Sequence, residues 1–455
     1  MSIAEKRHPL DVAKPVQWTD GNCGCVHEDM VAEVYGFYPF WAAAGKPQQL
    51  NFSLLTRIST HAATFTDDGT VLQPASWGAT ADFAVEAQRH GTRLDLVVWR
   101  NDWKSLLVLD EQRLERTARD LARNAVAAAD MPLRDQASRW KRLLPFYASD
   151  PRLADGITVF FDGAPTAATD PAGAKAFTGF VRRFMLALIT QMREGVPRNY
   201  VLNVAMPSTQ MGTAPYDLDA LFDYVKRAEE PRVDHQRIQE EGDVYRSRTN
   251  VTIRFVALLP EPTTQSKKAL RKTLEDSRVI LGNDRRVLLR KIVPVISYTG
   301  ADPQQFADDL AYFRDNFGGA GFWQVPQDGV GPGTDMYDAI ARAFRKDASD
   351  ETSPVCKIVC TQRWAVRAAF QLLVVVLLLG LVGVAAAGGM RCAGRQVVLG
   401  LLAVAALVVL TGGGLLNCDP EFRTLREGNS LFWTVLLLLF AAALFATLKP
   451  RDPRP

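Results

Sequence analysis

A (β/α)8 barrel followed by three transmembrane helices is the fold the sequence predicts, and three observations predict it. Between residues 31 and 347, eight short runs rich in Val, Ile and aromatic residues alternate with amphipathic stretches. Alternation of that kind builds a parallel sheet, and eight units is the number that closes a barrel of ordinary size. After residue 367, three runs of 18 to 23 residues carry no charge, the length a helix needs to cross about 30 Å of hydrocarbon.

The eight runs are 31–41, 57–65, 93–99, 155–163, 200–207, 252–261, 291–300 and 319–327, each bounded by Gly, Pro or charge. Their continuous apolar character suits strands covered on both faces. Amphipathic segments at 110–130, 172–194, 216–229, 303–316 and 333–346 mix apolar residues at helical spacing with charge. Residues 230–250 are charge-rich and lack an apolar stripe, which predicts an exposed loop before the sixth strand. The uncharged runs are 368–390, with Gln371 its only strongly polar residue, 397–416 and 431–448; Trp364 and Trp433 sit near segment ends, where aromatic belts occur. The organisation is therefore an N-terminal extension (1–30), the barrel (31–347), a juxtamembrane linker (348–367), a transmembrane region (368–448) and a basic tail (449–455).

Composition narrows the class. The chain has 455 residues, 47% hydrophobic and 23% charged, which excludes a disordered or collagen-like polymer. A formal net charge of +3 gives no electrostatic case for nucleic acid. No phosphate-loop or dinucleotide glycine fingerprint follows a strand, so no cofactor is expected. The expected location is the plasma (inner) membrane, multi-pass. The N-terminal stretch lacks the apolar core of a secretory signal, which favours a cytoplasmic barrel. The positive-inside count is balanced, with Lys357, Arg363, Arg367, Arg423 and Arg426 on one side and Arg391, Arg395, Lys449, Arg451 and Arg454 on the other.

Function in such a barrel gathers at the carboxyl ends of the strands. In the fourth run, alternation sends Thr158, Phe160 and Asp162 to one face and Val159 and Phe161 to the other. Asp162 then reads either as a carboxylate at the mouth or as a loop acid capping a helix. Glu261, ending the sixth run, and Asp102, just after the third, are candidate partners; two carboxylates about 5 to 9.5 Å apart would support glycoside hydrolysis. Tyr38, Trp41, Trp103, Tyr298 and Trp323 fall at or after strand ends, where aromatic faces stack on sugar rings, whereas Trp99 and His61 read as packing residues.

These residues carry a resemblance. The stretch LNFSLLTRISTHAATFTDDGTV (50–71), the fourth run and Gly321-Phe322-Trp323-Gln324 together resemble the family-18 glycoside hydrolases, the chitinases and their relatives. The fourth run is similar to that family's Asp-Gly-x-Asp-x-Asp-x-Glu signature. Asp155 and Gly156 match it, Thr158 replaces the second Asp, Phe160 the third, and Asp162 stands where the family has its catalytic Glu. The resemblance implies an N-acetylhexosamine-containing glycan as ligand and Trp323 as the floor of a sugar subsite. It also implies impaired catalysis, because the family's third Asp orients the attacking acetamido group and phenylalanine cannot. Asp162 is one methylene shorter than Glu, and misplacing a proton donor by about 1 Å costs on the order of 10²-fold. Pro260 replaces the Tyr of the family's Tyr-Asp pair, beside Glu261.

The expected function is thus a membrane-anchored chitinase-like barrel, catalytically impaired, binding such a glycan or supporting machinery that handles one. The alternatives are an active glycosidase with Asp162 as general acid, or a structural subunit whose helices pack on a membrane-protein partner through Gln371, Gly380, Gly383, Gly388 and Gly389. Cys23 and Cys25 precede the first strand, and Cys356 and Cys360 follow the last helix. Both places lie on the bottom face, so the two pairs are expected near one another as disulfides, as a thiolate zinc site with His27 in reserve, or as free thiols.

Overall fold

The computed structural model describes residues 17–18, 30–39, 47–48, 50–72, 83–84, 87–88, 90–132, 152–194, 198–229, 251–259, 263–278, 280–298, 302–323, 325, 333–346, 354–386 and 395–419. Eight parallel strands form its centre: β1 (Glu33–Pro39), β2 (Arg57–Phe65), β3 (Arg93–Arg100), β4 (Gly156–Phe161), β5 (Tyr200–Pro207), β6 (Val251–Leu258), β7 (Ile292–Ile296) and β8 (Gly319–Trp323). Each pairs with the next in chain order, and β8 pairs with β1, so the sheet closes. The predicted barrel is what forms, not an open sheet. Strand β4 shows why: all six of its residues are buried, because its outer face meets helices and its inner face meets the lumen.

Helices α1 (Glu111–Ala129), α2 (Pro171–Glu194), α3 (Leu218–Glu229), α4 (Thr264–Glu275), α5 (Gly282–Lys291), α6 (Pro303–Asn316) and α7 (Gly333–Phe344) lie outside the strands. Their starts follow the sequence. The Asp110 side chain accepts from the Arg113 N–H, and Asp302, followed by Pro303 at the first turn, accepts from the Gln305 N–H. Lys267 of α4 and Asp309 of α6 form a buried ion pair.

The lumen has two halves. In the lower half, Arg57 forms a two-point ion pair with Asp95, one arm from Nε to Oδ2 at 2.9 Å. Arg254 donates to Glu33 at 2.8 Å. Just above, the Tyr35 hydroxyl donates to Asn203 Oδ1 (3.0 Å), Asn203 Nδ2 donates to Thr158 Oγ1 (3.1 Å), and Thr158 pairs with Ser59 (3.2 Å). Gly156 is required here, since a Cβ on it would lie 2.4 Å from Asp95 Oδ1 and 3.0 Å from an Arg57 nitrogen. Burial opposes charge on Glu33, yet Arg254 and Arg57 with the Thr56 hydroxyl outweigh it and hold the carboxyl below its ordinary range. The upper half is apolar: Phe37, Val97, Phe160, Ala205, Val256, Leu258 and Val295 pack together beneath Trp99 and Trp323.

Beyond the barrel come α8 (Pro354–Thr361), α9 (Arg363–Ala386) and α10 (Arg395–Cys418). Two 20-residue segments, Ala365–Val384 and Leu399–Cys418, are apolar and long enough to cross a membrane, and little of either is buried. The third predicted segment, 431–448, and the loop predicted at 230–250 lie outside the described residues. Gly380 lets α10 approach, as a Cβ there would stand 2.4 Å from Leu401 Cδ2. The cysteines differ from expectation. Cys356 is disulfide-bonded to Cys418, because the helix hairpin brings the end of α10 back to α8, where Val359 packs on Leu415. Cys23 and Cys25 lie outside the described residues.

The lower lumen generates a stability prediction. Asp95→Ala leaves a buried guanidinium without its counter-charge and is expected to cost about 3–5 kcal/mol, whereas Arg57→Met combined with Asp95→Leu costs far less. Denaturant melts of the detergent-solubilised chain check this; a double variant weaker than Asp95→Ala would refute it.

Candidate functional site

The mouth is assembled from the ends of β3, β4 and β8. Arg100 closes β3 and donates to the Phe65 carbonyl (3.1 Å), the Ser105 hydroxyl (3.2 Å) and Asp67, its guanidinium lying over the Phe65 and Trp103 rings. This clamp fixes the turn that carries Trp103. The Trp103 indole N–H donates to the Asp162 carbonyl at 2.6 Å, while the Asp162 N–H donates to the Arg100 carbonyl at 3.0 Å. Asp162 is thereby held at both sides of its backbone. Gly163 follows with φ +61°, a left-handed turn in which a Cβ would lie 2.9 Å from the Asn101 carbonyl oxygen.

The Asp162 carboxyl is half-buried. Desolvation raises its pKa above the ordinary value, with the Gly163 N–H opposing the shift. The buried Tyr216 hydroxyl is pushed up by burial first, then by Tyr224 and by the Asp162 charge, which makes Tyr216 an electrostatic neighbour of the site. Nothing in the sequence pattern singled out Tyr216. It is a loop tyrosine immediately before Asp217, whose side chain accepts from the Ala220 N–H at the start of α3.

The other predicted residues divide. Trp323 lies half-buried at the top of the lumen against Phe37, ring centroids 5.5 Å apart. Trp99 belongs to the same inner cluster. Tyr38 and Trp103 do not: each is 4% exposed and packs in the layer between strands and helices, Tyr38 on Phe83 and Trp103 among Phe161, Phe177 and Phe180. They leave the set of sugar-contact candidates, and Trp103 becomes a residue that positions Asp162. Tyr298 stacks on Phe306 of α6 at 4.1 Å with its hydroxyl buried, so it too serves the outer core. Asp102 is exposed and its carboxylate accepts from the Lys104 N–H at 3.2 Å. Trp41 and Glu261 lie outside the described residues, as does the His61 side chain. Asp155 accepts from the Leu94 N–H at 2.9 Å, latching β4 to the base of β3.

No family model matches the sequence, and no curated protein matches it. Solved structures do. A chitinase from Bacteroides thetaiotaomicron is 11% identical, over 70% of this chain and 98% of that one, with a TM-score of 0.44. A chitinase from Rhizomucor miehei is 12% identical over 68% and 98%, at 0.41, and one from Chromobacterium violaceum is 12% identical over 69% and 98%, at 0.38. The likeness is one of fold. The barrel itself is established by its own strand pairing.

The raised Asp162 pKa has a consequence for pH. A carboxyl whose folded pKa exceeds its unfolded value favours folding most at low pH, and that contribution fades as pH rises through the folded value. Relative to Asp162→Asn, the native chain should lose stability as pH climbs from about 4. Paired thermal melts across that range test it; a native chain that holds or gains stability relative to Asp162→Asn as pH rises would contradict the assignment.

Proposed function

We propose that the chain is a membrane-anchored chitinase-like barrel that binds an N-acetylhexosamine-containing glycan at its mouth without turning it over. The observation that carries this reading is the apolar upper lumen below Asp162. By its resemblance to the family signature, Phe160 stands where a carboxylate would orient the reacting acetamido group, and it belongs to one buried cluster with Phe37, Val97, Val256 and Val295. Among the described residues no charged group shifts the Asp162 carboxyl, and an acid without a partner charge has no means of stabilising the oxocarbenium-like transition state. Trp323 and Trp99 supply apolar faces for a sugar ring at the same level. The two apolar helices support membrane attachment.

A second reading has its own observation. The raised pKa of Asp162 suits a general acid, and Glu261 is the carboxylate that would complete a hydrolytic pair.

Titration of the purified chain with chitooligosaccharides separates the two readings. Saturable binding without released sugar is expected, weakened about tenfold in Trp323→Ala, equivalent to about 1.4 kcal/mol. Hydrolysis that disappears in Asp162→Ala would establish the enzyme instead.

A further inference from the structure

We infer that the barrel stands on the oxidising, non-cytoplasmic face of the membrane, with the segment that joins the two spanning helices on the cytoplasmic face. The inference does not depend on the glycan reading.

Between the last barrel helix, ending at Phe344, and the first apolar segment, starting at Ala365, the chain holds a charged stretch, DASDETS (347–353), and α8. An eight-residue helix spans about 12 Å, far short of the roughly 30 Å hydrocarbon layer, and the stretch before it is too polar to enter lipid. The barrel and Cys356 therefore share one side.

The hairpin then brings the far end of α10 to that side. Cys418, its last residue, is bonded to Cys356. Next to it, Arg367 Nε donates to Asp419 Oδ2 at 2.6 Å, with both side chains buried. A covalent and an ionic link thus join the entry of the first span to the exit of the second. Cys392, between the spans, falls on the other side of the bilayer.

Chemistry chooses which side is which. Forming the bond takes a hydrogen from each thiol, two protons and two electrons, which pass to a protein disulfide oxidant. Such oxidants work outside the cytoplasm, where the thiol-reducing pool would otherwise keep both cysteines reduced. Charge does not contradict the assignment. With Arg367 neutralised by Asp419, Lys357, Arg363, Arg423 and Arg426 on the barrel side stand against Arg391, Arg395, Lys449, Arg451 and Arg454 on the other, four against five, so the positive-inside bias is close to even and the disulfide decides. The cytoplasmic barrel expected from the N-terminal sequence gives way to the opposite orientation. A barrel so placed meets extracytoplasmic polymers, not cytoplasmic metabolites.

The test uses the unmodified full-length chain in right-side-out membrane vesicles. Vesicles are treated with a membrane-impermeant sulfonated maleimide or with permeant N-ethylmaleimide, then lysed, reduced and treated with an isotopically distinct maleimide, and each cysteine peptide is read by mass spectrometry. Cys356 and Cys418 should resist both first reagents and take the label only after reduction, whereas Cys392 should react with the permeant reagent alone. Free thiols at Cys356 or Cys418, or reaction of Cys392 with the impermeant reagent, would overturn the orientation.

Discussion

The Arg57–Asp95 ion pair, sealed in the lower lumen against Gly156, is the constraint around which the barrel is organised. Eight parallel strands enclose a space that side chains must fill, and an arginine is long enough to fill much of it only if its charge is met. Burial works against charge on Arg57, and Asp95 on the neighbouring strand overrides that and keeps the guanidinium protonated. Gly156 leaves room for both groups. The hydrogen-bonded layer of Tyr35, Asn203, Thr158 and Ser59 ties β1, β2, β4 and β5 together across the axis. Directional bonds of this kind fix the stagger of the strands, which apolar packing alone leaves free by one residue pair.

This polar floor stops abruptly. Above Thr158 the β4 alternation brings Phe160 inward, and the ring of apolar side chains at that level separates the lower network from Asp162. Asp162 is consequently an acid without a polar chain beneath it, and desolvation governs its titration. Its backbone, by contrast, is held firmly through Arg100 and Trp103. A carboxyl held this rigidly, with desolvation as the main influence on its titration, suits the glycan-holding role proposed for it.

Much of this was legible in the sequence, because buried parallel strands announce themselves as short apolar runs. The fourth run predicted residues 155–163, and the strand is Gly156–Phe161 with Thr158 and Phe160 inward as alternation required. The seventh run was drawn too long at both ends: Lys291 closes α5, and β7 stops at Ile296. Among the aromatics, strand-end position proved a weaker guide than parity. Tyr38 follows the inward Phe37 by one residue and so faces the helices, and Trp103 sits on a turn that folds back onto α2. The Cys356–Cys418 bond was not legible, since it depends on the second apolar helix returning its last residue to α8, which no spacing in the sequence shows.

The tail obeys a different packing logic from the barrel, and the comparison explains why its links cluster at one end. In lipid, apolar side chains gain little by meeting one another, so two helices stay together through close backbone approach and polar contacts. The hairpin has close approach along its length, where Gly380 admits Leu401, and its strongest polar contact at the barrel-proximal end, where Arg367 meets Asp419. The disulfide sits at that same end, beside the apolar contact of Val359 with Leu415. Cross-linking there constrains α8 as well as α9 and α10, so the element that connects to the barrel is held by the helix hairpin. The barrel's attachment is therefore set at two places on α8, Cys356 and Val359, with the Arg367–Asp419 contact beside them at the start of α9.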